Sequence, residues 1–87
     1  MKTYMKTVKM LSVTEENGMQ TPLKFQLKNE DGGRITVKVD NVIFRNEEKL
    51  AGNKMLVYRC QSQINGVLKV FELKYEVSTC KWYLYKM

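Results

Sequence analysis

The chain has 87 residues, is 44% hydrophobic and 28% charged, and carries a net charge of +6. One domain of this length buries roughly 60–65% of its unfolded surface, enough for a modest core without staples. Its apolar content excludes a disordered chain. With no histidine present, Ser-His and Cys-His nucleophile pairs and the usual zinc ligand sets are excluded.

Residues 1–87 read as a single all-β domain, because Val, Ile, Thr, Tyr, Phe and Trp recur throughout. The opening MKTYMKTVKMLSV has no continuous apolar h-region, so it does not read as a signal peptide. No apolar run approaches the ~20 residues of a membrane span. The expected location is the cytoplasm, with no membrane partner. Residues 1–4 are expected to be loose.

A first strand is predicted over residues 5–14, with Val8 and Met10 inward. Asn17-Gly18 then marks a two-residue turn that places Met10 opposite Phe25 and Val8 opposite Leu27. The second strand, Leu23 to Lys28, alternates with Leu23, Phe25 and Leu27 inward. Pro22 at its start cannot donate to a ladder. Around Glu30-Asp31-Gly32-Gly33 two registers keep the faces consistent. One sets Lys24 against Lys38. The other, through an Asp31-Gly32-Gly33 loop, pairs Lys24 with Asp40 and Phe25 with Val39. The second avoids like-charge repulsion and is the expected one, with Gly33 left-handed.

A long third strand spans residues 34–45. Its phase becomes ambiguous at Asp40-Asn41, so a bulge or sharp bend is expected there. Residues 46–52, NEEKLAG, read as a short helical turn, with Asn46 as N-cap and Gly52 at the exit. The strongest signal follows. Asn65-Gly66 sits between two alternating runs, which predicts a type I′ hairpin with Ile64 facing Val67. Cys60 then faces Phe71, Tyr58 faces Leu73 and Arg59 faces Glu72. A final reversal at Ser78-Thr79 pairs Tyr75 with Trp82 and Glu76 with Lys81. Cys60 and Cys80 lie ~20 Å apart along the ribbon, too far for a disulfide. Two buried, reduced thiols are expected, in keeping with a cytoplasmic setting.

The predicted architecture is a six-stranded antiparallel meander. It curls into a small barrel or a strongly curved sheet, with the short helical turn (46–52) between strands three and four. That outline is similar to an OB-fold, but no family motif accompanies it, so it carries no function. No phosphate-binding glycine loop and no full ligand set occur; the pairs Glu15-Glu16 and Glu47-Glu48 read as solvated loop charges. The chain is therefore expected to be no enzyme and to carry no cofactor.

One face draws notice. The outer side of the last three strands presents Met55, Val57, Leu68, Val70, Tyr83 and Tyr85 among Arg59, Lys74 and Lys81. A sheet face this apolar fits a protein partner or a homo-oligomer, or cover by the N-terminal segment within the monomer. Arg59, Lys74, Lys81, Tyr83 and Tyr85 are the candidate binding residues. The alternative is an OB-like module in which the same residues bind single-stranded nucleic acid by stacking and charge.

Overall fold

A computed structural model describes residues 1–87. It is an all-β chain of antiparallel strands, curled into a half-barrel and without helix. The strands are β1 (Thr3–Thr14), β2 (Gln20–Lys28), β3 (Arg34–Lys38), β4 (Asn41–Leu50), β5 (Asn53–Ile64), β6 (Val67–Glu76) and β7 (Lys81–Lys86). They form one 7-stranded sheet in the order β3-β2-β1-β7-β6-β5-β4.

The β5–β6 hairpin follows the sequence reading at every rung, from Ile64–Val67 to Met55–Glu76. Asn65 (φ 51°) and Gly66 (φ 77°) take the left-handed conformations that a type I′ turn requires. The β6–β7 pairing also follows it, with Tyr75–Trp82 and Glu76–Lys81 as rungs.

The short helix at 46–52 is not formed. Residues 41–50 are β4, paired to β5 down to Leu50–Asn53, and Ala51 (φ 51°) with Gly52 (φ 82°) makes another tight hairpin turn. A helix of one or two turns bears a nucleation cost that few bonds offset. The ladder to β5 satisfies the same backbone groups. The OB-like outline loses its shared helix with this change. The long third strand is divided into β3 and β4 at Val39-Asp40, where the bend was expected. A bulge also falls between Val42 and Phe44.

Two other turns differ from expectation. At Asn17-Gly18 the Gly18 N–H donates to the Glu15 carbonyl (2.8 Å) and only Gly18 is left-handed. The resulting three-residue loop shifts the pairing by one, and a bulge at Leu11/Ser12 restores it, so Met10 still meets Phe25. The shift turns Pro22 inward, where it is fully buried, and leaves Leu23 exposed. Between β2 and β3 the like-charged register is adopted, with Lys24 opposite Lys38 and Phe25 opposite Val37. Gly32 rather than Gly33 is left-handed. An exposed like-charge pair costs only about 0.2–1 kcal/mol. In this register Val39 stays alongside β2, where its N–H donates to the Leu23 carbonyl (2.8 Å), and the chain then turns toward β5.

The N-terminus is not loose either. Thr3 and Tyr4 belong to β1, and Lys2 and Met87 exchange both backbone hydrogen bonds (3.0 and 3.1 Å). The pairing of β1 with β7 joins the two halves of the sheet.

The core lies inside the curl. Val8, Phe25, Val37, Val39, Tyr58, Cys60, Phe71, Leu73, Trp82 and Leu84 form one buried cluster. Phe25 on β2 and Phe71 on β6 touch across it at 5.7 Å between ring centroids. Trp82 packs at a tilt against Tyr58 (5.2 Å between centroids) and Tyr75 (5.0 Å). Truncating a buried Phe costs about 3–5 kcal/mol. Phe71→Ala is therefore expected to lower the denaturation midpoint by a large part of the total stability. Chemical denaturation followed by tryptophan fluorescence checks it; an unchanged midpoint would show that Phe71 is not central to the core.

Candidate functional site

The outer face of β4–β7 is built by the period-two alternation of the two well-specified hairpins. It carries Phe44 and Glu48 from β4, Met55, Val57 and Arg59 from β5, Leu68, Val70, Glu72, Lys74 and Glu76 from β6, and Lys81, Tyr83 and Tyr85 from β7. The bulge at Ile43 turns Phe44 to this side, opposite Arg59.

All the candidate residues lie on this face, and two of the three cations, Arg59 and Lys74, are already in ion pairs. Lys74 is only 8% exposed. Its Nζ donates to Glu48 Oε1 at 2.8 Å, reaching from β6 to β4 across β5. The same ammonium sits 3.7 Å above the Tyr85 ring centroid, a cation–π contact strengthened by exclusion of water. Arg59 is exposed and forms an ion pair with Glu72 (3.5 Å), its cross-strand partner. Lys81 is exposed opposite Glu76.

Glu76 anchors the β6–β7 turn. Its Oε1 accepts from the hydroxyls of Thr79 (2.6 Å) and Tyr83 (3.3 Å), and its Oε2 accepts from Asn53 Nδ2 (2.8 Å). The Thr79 hydroxyl first, and then the Asn53 amide, hold this carboxyl below its ordinary range. Burial, followed by the neighbouring Glu76 carboxylate, pushes the Tyr83 phenol up. Tyr83 is thus a half-buried, hydrogen-bonded side chain and Tyr85 the seat of an internal cation. Neither ring is an open stacking surface.

The patch retains Phe44 (56% exposed) and Leu68 (58% exposed), with Val70 half-buried between their rungs and Val57 half-buried on the other side of Phe44. Phe44 was not singled out from the sequence. Only the bulge at Ile43 determines its side.

A second feature is a cleft of about 350 Å³ between the β1–β2 turn and the β4–β5 ribbon. It is lined by Met19, Gln20, Arg45, Leu56 and Tyr58 among others. Arg45 crosses toward β2, where its Nη2 donates to Thr21 Oγ1 (3.0 Å). Gln20 Oε1 is buried without a hydrogen-bond donor. The carboxylates of Glu15-Glu16 and Glu47-Glu48 do not converge with a third metal-ligating side chain.

The thiols differ from expectation. Cys60 is fully buried and burial pushes its thiol up to about 12, whereas Cys80 is exposed at the β6–β7 turn. Position 80 adopts φ 58° and belongs to the turn, not to the ladder. No helix is long and apolar enough to cross a membrane.

Two outcomes are expected. A thiol reagent should modify one cysteine in the native protein, lost in Cys80→Ser, and both in denaturant. Rapid native reaction of both would contradict the burial of Cys60. Breaking a partly buried ion pair from one side leaves a charge uncompensated, while replacing both partners with apolar groups is often neutral. Glu48→Gln should therefore destabilise by roughly 1–3 kcal/mol, and Glu48→Leu with Lys74→Met should recover much of that loss. Equal stabilities in thermal melts would mean that the pair contributes nothing.

No family model, curated protein or solved structure matches the chain.

Proposed function

We propose that this chain is a non-enzymatic interaction domain that self-associates through the outer face of β4–β7. The observation that carries the reading is the charge balance of that face. Arg59 and Lys74 are ion-paired with Glu72 and Glu48, Lys81 stands opposite Glu76 and Lys86 opposite Glu72, so the face is within one charge of balance, while Phe44, Leu68, Val57 and Val70 remain apolar. Two copies meeting there face no like-charge barrier and bury apolar surface. Lys81 lies at the end of the face, Arg59 with its partner Glu72 lies within it beside Phe44, and Tyr83 and Tyr85 supply half-buried rings. Single-stranded nucleic acid is disfavoured at this face, because Arg59, Lys74 and the Tyr85 ring are engaged within the subunit.

The area sets the strength. Four strands spaced ~4.8 Å apart and about eight residues long make a face of roughly 27 by 19 Å. The face lies on the outside of the curl, so two copies touch over part of it and bury less than the roughly 1,000 Å² that marks a specific interface. The association is therefore reversible and concentration-dependent. A cytoplasmic setting accords with the unpaired cysteines.

Light scattering over a range of concentrations tests this. The 10.3 kDa chain should approach twice its mass as concentration rises, with little salt dependence. Phe44→Asp with Leu68→Asp should hold it monomeric without lowering the melting temperature, since both side chains are exposed. A monomer at every concentration, or an unchanged dimer in the double variant, would overturn the proposal.

A further inference from the structure

The N-terminal half of the sheet presents a different outer face. The register places Leu11, Lys24 and Lys38 on one row, Lys9, Gln26 and Thr36 on the next, and Lys28 with Arg34 on the last. Lys9, Lys24, Lys28, Arg34 and Lys38 are all exposed. None of them is in an ion pair, and none donates a side-chain hydrogen bond. No acidic side chain shares these rows, because Glu15, Glu16, Glu30 and Asp31 all lie in the turns.

From this juxtaposition we infer that the outer face of β1–β3 is a docking surface for the phosphate backbone of double-stranded nucleic acid. The chemistry points there in three ways. First, the cations are free, so each is able to displace a counterion from a phosphate, which is the source of sequence-independent affinity. Second, their spacing suits a repeating polyanion. The pairs Lys24–Lys38 and Lys28–Arg34 are separated by four residues of β2, about 13 Å, and Gln26 and Thr36 lie between them. The Gln26 amide donates to Thr36 Oγ1 (3.3 Å) and keeps a second N–H available. A shallow depression of about 250 Å³, lined by Lys9, Met10, Leu11, Lys24, Phe25 and Gln26, lies between two of these cations. Third, these rows hold no aromatic side chain. Without a ring on which to stack an unpaired base, contact is made with phosphates and sugars, and the denser charge of a duplex is favoured over a single strand. A second copy of the chain would be repelled from this face.

The test is fluorescence anisotropy of a labelled mixed-sequence duplex, titrated with the full chain at several salt concentrations. Neutralising five phosphates predicts a log–log salt slope of about −4.5, so affinity should fall on the order of 500-fold between about 50 and about 200 mM salt. The variant Lys24→Gln, Arg34→Gln, Lys38→Gln should reduce the slope by nearly 3. The charge-matched control Lys49→Gln, Lys54→Gln, Lys69→Gln, on other parts of the surface, should leave most of the slope in place. Absence of binding at low salt would overturn the inference. So would equal losses in the two triple variants, tighter binding of a single strand of the same length, or tighter binding of phosphatidylserine vesicles. This surface lies on β1–β3 and the self-association face on β4–β7, so the titration and the mass measurement fail independently.

Discussion

Two residues impose the shape of this protein. β3 and β4 are consecutive in the chain, yet they are the two opposite edges of the sheet. Only Val39 and Asp40 separate them. A flat sheet of seven strands would set its edges about 29 Å apart, beyond the reach of two residues. The sheet must therefore curl until its edges meet at one end. Val39 is tied to β2 through the Leu23 carbonyl. Asp40 is tied to β5 on both sides: its N–H donates to Ser62 Oγ (2.9 Å), and its carboxylate accepts from the Gln63 N–H (2.9 Å). Ser62 is fully buried, and this hydrogen bond is what makes a buried hydroxyl tolerable there.

The curl explains how so short a chain makes a core. It brings the inner faces of the two halves together, so Phe25 on β2 meets Phe71 on β6. Apolar groups on either half alone would remain half wet. Away from the tethered end the edges separate, and the cleft between the β1–β2 turn and the β4–β5 ribbon lies in that gap. Arg45 spans it with a hydrogen bond to Thr21 and a contact 5.9 Å from the Tyr58 ring.

The same curl turns two unlike faces outward. On β4–β7 every candidate cation has an acidic neighbour, and the Lys74–Glu48 pair is held over Tyr85. Burying Lys74 costs desolvation, which the short ion pair and the ring offset. The result is a rigid, near-neutral and partly apolar surface. On β1–β3 the acids are in the turns and the cations on the rows, so the charge stands uncompensated. Electrostatics separates the partners these faces suit: apolar contact between copies on one, counterion release on the other.

Much of this was legible in the chain. Asn65-Gly66 demands positive φ at two successive residues, and the alternating runs beside it permit one register, so the whole β5–β6 ladder follows from local chemistry. The same alternation placed Arg59, Lys74, Lys81, Tyr83 and Tyr85 on one face. Local reasoning failed where two solutions were close in energy. Asn17-Gly18 suits either a two-residue or a three-residue turn, and the bulge at Leu23 that reconciles the longer one puts Pro22 rather than Leu23 in the core. NEEKLAG suits a helical turn when isolated and a strand when β5 lies beside it. The pairing of β1 with β7 carries no local mark, because backbone hydrogen bonds are alike for every residue. The sequence by itself determined the strand periodicity, the tight turns and the net charge, since each depends on neighbours in the chain. Tertiary structure alone decided which edges meet, which cations are neutralised and which remain free, since those depend on register between strands distant in sequence.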